Sequence, residues 1–502
     1  MRDERLARSG LLSLIGSAAS ALSALVVAIV IGNALGAYGT GLFFQAVGFF
    51  TIASQVLRLG TNSSLVRTIS EHQAFDRRGE TWRVVVIAVV PVAVLGIIAG
   101  ALVWVFSEPL ANWLASPGES ARLRPFLELM APFISVGALL AVLQIASRMV
   151  NGISAYTLVH TIVYPAVRLI AVSAVVYAAG TAFAAFGAWL AVIPLWVLVS
   201  VGLLVSPLRQ DWRRRAQAVE PLGVAGRRFW RFSATRAVGG SLEILLEWTD
   251  VLIVAAIASP AEAGIYAVVT RTVRAGQVVD RAMRLAVSPR ISRHLAKGEL
   301  AETRELHTTV TRAMILVSWP YYLTLAIMGP SVLLLFGAEF EDGAVPLLIL
   351  SLTMLVTSSA GMLQSIILQG GRSSWQVLNK SIVLATSVAL NLALVPLVGI
   401  VGAAITWAVV GLTDTGIAAW QVHRRMGVWL RPRPLLPAMV IATAVFGVGM
   451  GIVRLTLGTS LGALVVGLAA VGLVYAGVLW LLRGRLGIVA LWKELPVLGR
   501  FA

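Results

Sequence analysis

Fourteen apolar runs, most of them long enough to cross a bilayer as a helix, occupy nearly all of this sequence. They span about 11–31, 41–58, 84–106, 125–146, 159–179, 183–205, 233–257, 265–286, 309–336, 345–368, 376–396, 400–422, 435–454 and 461–482. A crossing needs about 20 predominantly apolar residues. In hydrocarbon an open chain must satisfy its own backbone N–H and C=O groups, so these runs are predicted as helices. Only 13% of the residues are charged, about half the share of a soluble domain. The expected fold class is therefore an all-α polytopic membrane protein. About 14 transmembrane helices form two six-helix lobes plus a C-terminal helix pair. The lobes run over 1–205 and 233–423, joined by a basic cytoplasmic linker at 206–232. Residues 424–502 hold helices 13 and 14 and a tail around Ile488–Phe501 that is expected to lie along the inner interface.

The net charge of +17 first suggests nucleic acid. That partner is excluded because most of the basic residues sit in short loops between apolar runs, which is the orientation signature of membrane proteins. Clusters such as Arg213-Arg214-Arg215, Arg227-Arg228 and Arg424-Arg425 fall on one side, whereas Arg122, Arg124 and Arg454 fall on the other. The bias places both termini in the cytoplasm, in a cell (inner) membrane. Arg2, Arg5 and Arg8 precede a first run too long for a signal-peptide core, so that run is read as a retained helix. The chain has no cysteine and five scattered histidines. Neither a thiolate site nor a metal-ligand spacing is present, and no cofactor is expected.

The two halves look related. Gly41-Leu42-Phe43, Arg58 and Arg67 align with Gly264-Ile265-Tyr266, Arg281 and Arg290 at a constant offset of 223 residues. Both halves begin on the same side, so the repeat is parallel. Such repeats are a common transporter design with the substrate between the halves.

Charges within a bilayer cost at least ~2.5–3.5 kcal/mol each on insertion scales, so they normally face a cavity or a partner. Here they concentrate in helices 7 and 8. The spacing of Arg236, Glu243, Glu247 and Asp250 puts all four on one face of helix 7. Arg271, Arg274 and Arg281 share a face of helix 8, with Asp280 and Arg284 nearby. In a hairpin turning near Pro260, Asp250 and Arg271, Glu247 and Arg274, and Glu243 and Arg281 lie at similar depths. One reading is a structural zipper of paired charges. The other is a cavity in which arginines bind an anion and an acid responds to a coupling cation, since the planar guanidinium matches phosphate oxygens and stays charged. Arg58, at the inner end of helix 2, can also snorkel. Arg168 lies about 14 Å into helix 5, too deep for snorkelling, and joins the cavity candidates. Asp414, in helix 12, is a candidate coupling site or the partner of an arginine from another helix. His160 is read as interfacial.

Three further stretches carry a family resemblance. The first is Gly36-Ala37-Tyr38-Gly39-Thr40-Gly41-Leu42-Phe43 with Leu57-Arg58-Leu59-Gly60. The second is Asp250-Val251-Leu252-Ile253 with Glu262-Ala263-Gly264-Ile265-Tyr266. The third is Leu390-Asn391-Leu392-Ala393-Leu394-Val395-Pro396 with Gly399-Ile400-Val401-Gly402-Ala403-Ala404. In type and order they resemble the polysaccharide transporter, or oligosaccharide flippase, branch of the multidrug/oligosaccharidyl-lipid/polysaccharide superfamily. The resemblance implies a MATE-like pair of lobes working by alternating access on a polyprenyl-pyrophosphate-linked oligosaccharide. It also implies a cationic central cavity for the pyrophosphate and sugars, and service to glycosyltransferases and a glycan polymerase. It transfers no fixed motif. The cavity candidates Arg58, Arg168, Arg271, Arg274 and Arg281, and the coupling candidates Glu243, Glu247, Asp250 and Asp414, rest on position and charge. Four alternatives stand beside this reading: a lipid II-type flippase, a cation-coupled multidrug exporter, a membrane scaffold or lipid-binding partner without translocation, and a polytopic glycan polymerase or glycosyltransferase. The short, sparsely charged outer loops leave the last no room for a catalytic domain.

Overall fold

The computed structural model describes residues 2–75, 77–213, 221–429, 432–484 and 486. The expected interfacial tail at 488–501, and Arg214 and Arg215 of the linker, lie outside them. The described residues are almost entirely helical and contain no strand. In chain order the helices are α1 (Arg2–Val56), α2 (Thr61–Ala74), α3 (Thr81–Val105), α4 (Ser107–Leu114), α5 (Ser120–Tyr156), α6 (Tyr164–Ala179), α7 (Ala182–Arg213) and α8 (Leu222–Ile257). Then come α9 (Pro260–Ala275), α10 (Gln277–Lys297), α11 (Leu300–Ile327), α12 (Gly329–Leu333), α13 (Ala344–Ser359), α14 (Leu363–Gln369), α15 (Ser373–Met426), α16 (Leu436–Ala442), α17 (Val448–Leu457) and α18 (Leu461–Leu481). A π-helical turn, Thr157–Val163, joins α5 to α6, and another, Thr443–Gly447, joins α16 to α17.

Among the described residues, nine helical stretches are long and apolar enough to cross a membrane. Three of them, Ile15–Val56, Ser120–Ala179 and Ser373–Met426, hold 42, 60 and 54 residues. At 1.5 Å per residue even the shortest is about 63 Å long, twice the ~30 Å hydrocarbon core. Each therefore accommodates two predicted segments. The expected short loops are replaced by a backbone break within one continuous helical stretch. In α1 the break is Gly36 (φ 65°, ψ −173°), and in α5 it is Gly152 (φ 85°, ψ 171°). In α15 it is Val398–Gly399, with Gly399 at φ 56°, ψ −138°. An L side chain is rarely accommodated at such dihedrals. The predicted segments 233–257 and 265–286 fall on α8 and on α9–α10; these are outside the apolar set, α9 being only 16 residues long.

The chain divides into two compact units, Ile15–Gly264 and Met1–Leu14 with Ile265–Ala502. In the N-terminal unit α2, α3, α5 and α8 bury a core that includes Leu65, Ile69, Ala88, Val142 and Phe229. Gly41 and Gly264, paired by the repeat, lie against each other here. A Cβ on Gly41 would stand 1.6 Å from Pro260 O, and one on Gly264 would stand 2.1 Å from Ala37 O. In the C-terminal unit α10, α11, α14 and α15 enclose Ile291, Val310, Met314, Ile366 and Val422.

Where α2 meets α3 and α8, a cavity of about 20 Å³, room for one water, is lined by His72, Glu80, Arg83 and Arg228. His72 is 5% exposed. Burial pushes its imidazole below the ordinary histidine range; Glu80 and Glu71 oppose the shift, and Arg228 and Arg77 reinforce it. The unfolded chain takes up this proton near pH 6.5, and the folded unit resists it to lower pH. The unfolded state binds more protons in that window, so stability falls as pH falls below about 6.5. Melting at pH 7.5 and pH 5.5 checks this: wild type is expected to melt lower at pH 5.5, and His72→Gln is expected to shrink the difference.

Candidate functional site

Five of the nine sequence candidates, Arg58, Arg168, Glu243, Glu247 and Asp250, belong to the N-terminal unit. Arg168 is the most distinctive. Its guanidinium lies 4.4 Å from the Tyr164 ring centroid and 4.0 Å from that of Trp189 on α7. It also donates to the Tyr164 hydroxyl. Its Nε is buried without a hydrogen-bond partner, and no carboxylate among the described residues pairs with it. Aromatic faces hold a guanidinium by cation–π attraction without cancelling its charge. This arrangement keeps an arginine positioned and electropositive inside a membrane protein, as an anion site requires.

A ladder of aromatic and polar groups supports that cage. The rings of Tyr164 and Trp196 are 5.1 Å apart, and Trp196 Nε1–H donates to His160 Nδ1 at 3.2 Å. Nδ1 is thus an acceptor, which puts the proton of the neutral ring on Nε2, a buried atom with no partner. His160 sits in the π-helical turn, is 5% exposed, and its ring lies 5.4 Å from that of Tyr156. The sequence placed it at the interface; the structure buries it. Tyr156 in turn interacts electrostatically with Arg148 and Arg58.

Arg58 occupies the four-residue turn between α1 and α2 and donates from Nε to Gln55 O at 3.3 Å. Gly60 fixes that turn against α8, since a Cβ there would stand 2.4 Å from Ser233 O. Glu243 of α8 lies within electrostatic reach of Arg58. Glu243 and Glu247 are exposed on α8, whereas Asp250 is 4% exposed and accepts the Val251 N–H at 2.8 Å.

The other four candidates belong to the C-terminal unit. Arg271 donates to Ala267 O at 3.1 Å and, like Arg274, is half-buried. The spacing predicted one helical face shared with Arg281; between them the helix tightens at Gly276, which keeps helical dihedrals (φ −64°, ψ −23°) while its N–H bonds Val273 O, three residues back. The tightened turn is packed against α11. A Cβ on Gly276 would meet the Tyr321 and Tyr322 side chains at 2.6 and 2.7 Å, and Tyr321 O–H donates to Thr272 O at 2.6 Å. Arg281 lies beyond this turn on α10 and is exposed. Asp280 is buried and accepts from Ser318 Oγ at 3.4 Å.

Asp414 is not isolated, and its ion-pair partner is not an arginine. Lys380 Nζ lies 2.8 Å from its Oδ2, and Gln364 Nε2 donates to the same oxygen at 3.2 Å. Oδ1 of Asp414 and Oε1 of Gln364 are buried acceptors without partners. Next to Lys380 on one arm and two turns beyond Asp414 on the other, Asn379 and Gln421 exchange two amide hydrogen bonds of 2.9 Å. Both pairs stitch the two arms of α15 across the break at Gly399. Asn379→Ala or Gln421→Ala alone strands a buried amide and is expected to cost about 1–3 kcal/mol. Asn379→Leu with Gln421→Leu is expected to recover most of it, as thermal melting in a double-mutant cycle can read.

Sequence spacing could have found Tyr164, four residues before Arg168 on one helix. Trp189, Trp196 and Lys380 carried no such signal, because tertiary packing brings them in. Among the described residues no group of three or more His, Cys, Asp or Glu is placed to hold a metal ion.

The profile of a family described as "Polysaccharide biosynthesis protein" matches residues 6–295. A solved structure of the lipid II flippase MurJ in an inward closed conformation has a TM-score of 0.71 at 12% identity, covering 94% of this chain and 99% of that one. An inward-facing MATE family multidrug resistance transporter of the MOP superfamily has a TM-score of 0.67 at 14% identity, covering 84% and 98%. A MOP superfamily transporter from Pyrococcus furiosus, distinguished by reverse polarity of its binding pocket, has a TM-score of 0.57 at 16% identity, covering 85% and 96%. A sequence search of curated proteins gives no match. At these identities the structural likeness establishes the fold, that of MOP superfamily transporters.

Proposed function

The chain belongs to the polysaccharide biosynthesis protein family, and from that membership we propose that it is a flippase for a polyprenyl-pyrophosphate-linked oligosaccharide. It moves its substrate from the inner to the outer leaflet by alternating access, supplying cell-surface polysaccharide synthesis. The observation that carries the reading is the uncompensated guanidinium of Arg168, held by Tyr164 and Trp189. A pyrophosphate offers the oxygens that a fixed guanidinium recognises. Arg58, Arg271, Arg274 and Arg281 add positive charge to the path. Glu243, Glu247, Asp250 and Asp414 are the candidates for the coupling ion. The six-helix lobes at 1–205 and 233–423, the linker between them and the pair at 424–502 are the working parts. The protein resides in the cell membrane with both termini cytoplasmic, and hands its cargo to a glycan polymerase after glycosyltransferases have built it.

Proteoliposomes loaded with a labelled lipid-linked oligosaccharide test this. Label should become accessible on the far leaflet with wild type, and that accessibility should be lost when Arg168, Arg271 and Arg274 are all changed to glutamine. Retained flipping in the triple variant would sink the cationic-path mechanism. Flipping of lipid II alone would assign the peptidoglycan precursor instead. Export of a cationic dye without glycan flipping would assign the multidrug reading.

A further inference from the structure

One end of the C-terminal unit carries three repetitions of a single arrangement. The end is defined by contacts within the unit. Arg304, near the start of α11, donates from Nε and Nη2 to Gly427 O beyond the end of α15, at 3.0 and 2.7 Å. Arg454, near the end of α17, donates to Ile327 O at the other end of α11, at 2.6 Å. The two arms of α15 are bonded together at Asn379–Gln421, so both termini of α15 lie at the Arg304 end. Helix α18 returns from the Arg454 side, so its last turn also approaches the Arg304 end.

At that end Arg372 lies 4.8 Å from the Trp375 ring centroid, Arg425 lies 5.6 Å from that of Trp420, and Arg483 lies 5.0 Å from that of Trp480. In each pair the tryptophan sits three or five residues further into the helix than the arginine, a step of about 5–8 Å. At each helix end the order outward is apolar surface, indole, guanidinium; Trp375 is half-buried against the core of the unit and serves to hold Arg372, whereas the other two indoles are exposed. Trp420 and Trp480 are 54% and 63% exposed. The three arginines are exposed, and none has a carboxylate partner among the described residues. Of the acids at the same end, Glu299 is engaged by His294 and Lys297, and Glu302 and Glu305 are exposed on the first turns of α11.

The arrangement does not recur at the opposite end of the unit. There Arg454 caps a helix, and the turn Ala338–Gly343 brings the acids Glu339, Glu341 and Asp342. Arg304 itself pairs with Trp429 at 3.6 Å, but two of its nitrogens are already used on Gly427 O.

We infer that Arg372–Trp375, Arg425–Trp420 and Arg483–Trp480 are three clamps for the headgroups of anionic phospholipids in one leaflet. An indole lies at the depth of the glycerol and carbonyl groups. The guanidinium above it meets the phosphate, with donors free for bidentate contact. The stacked ring holds the arginine in place, so less ordering entropy opposes each contact. The inference is independent of the flippase reading, because it concerns the lipid that surrounds the unit and not the cargo.

Spin-labelled lipids test it on the intact protein reconstituted in phosphatidylcholine bilayers. Electron paramagnetic resonance gives the motionally restricted fraction for labelled phosphatidylglycerol and for labelled phosphatidylcholine. Wild type is expected to prefer phosphatidylglycerol, by about fivefold at each clamp. The variant R372Q/R425Q/R483Q is expected to fall toward parity while its restricted phosphatidylcholine fraction stays unchanged, which reports an intact perimeter. The pair R122Q/R124Q, in the other unit, is expected to keep the wild-type preference. Parity in wild type, or a preference retained by the triple variant, overturns the proposal. Displacement of the lipid by millimolar inorganic phosphate would overturn the assignment to lipid. Should the triple variant fail to assemble, wild type decides: a preference screened away by salt supports the clamps, and parity removes them.

Discussion

Changing Arg168 to glutamine is expected to lower flipping of the lipid-linked oligosaccharide about a hundredfold and to move the melting temperature little. Glutamine keeps a polar donor at the site but removes the charge and the stacked plane. Charge-assisted hydrogen bonds are worth about 1.5–3 kcal/mol each, so the loss of one or two corresponds to one to two powers of ten or more. Arg168→Lys keeps the charge and loses the fork and the stacking over Tyr164 and Trp189. It is expected to fall between the two, near a tenfold loss. Trp189→Leu leaves the charge and frees the guanidinium to wander, so its transport should resemble the lysine variant. The readout is the rate at which labelled glycan becomes accessible on the far side of proteoliposomes. Wild-type rates in Arg168→Gln would remove Arg168 from the path. A large drop in melting temperature would show that Arg168 is a packing residue.

Gly41→Ala is expected to prevent assembly of the N-terminal unit, with Gly264→Ala close behind. The added Cβ of the first would stand 1.6 Å from Pro260 O and that of the second 2.1 Å from Ala37 O. Both obstacles are backbone carbonyls, which cannot swing away as a side-chain tip does. Overpacking in a well-filled interior costs about 1–3 kcal/mol even where neighbours can shift, and here the helices themselves must part. Gly416→Ala is the matched control, because its Cβ would meet nothing within 4 Å. Detergent-extracted protein should give a monodisperse peak and a wild-type melt for Gly416→Ala, and aggregate for Gly41→Ala. A folded, transport-competent Gly41→Ala protein would show that the two helices do not pack this closely.

The apolar runs were legible because a membrane imposes length and hydropathy on every crossing. Most predicted segments fall on helix, the charged pair at 233–257 and 265–286 included, but the one predicted over 345–368 is broken between Ser359 and Leu363, where Gly361 takes a φ of 71°. Turns were less legible. A loop was expected between the first two segments, yet α1 continues through Gly36 and is redirected there, because one residue with positive φ can redirect a helix whose own bonds remain intact on either side. The same holds at Gly152 and Gly399. Single charges were legible as exceptions to the hydropathy of their surroundings, but their partners were not. Lys380 and Asp414 are 34 residues apart and meet only because α15 folds back at Gly399. Arg168 stood out by depth, whereas its cage did not, because a tryptophan on a neighbouring helix is an ordinary apolar residue until packing turns it toward a cation. The face shared by Arg271, Arg274 and Arg281 assumed a regular helix, and the tightened turn at Gly276, packed against two tyrosines, carried no sequence signal.

The folded-back α15 also bears on how the chain enters the membrane. As synthesis proceeds, the first arm arrives carrying Lys380 and the second arrives carrying Asp414. Either charge alone disfavours transfer of its arm into lipid, by up to about 2.5–3.5 kcal/mol on insertion scales and by less toward a helix end. The Lys380–Asp414 contact cancels much of that cost, but only after the second arm has been made. Pairing thus makes the two arms of α15 cheaper to hold in lipid together than apart, with Gly399 as the point about which they close.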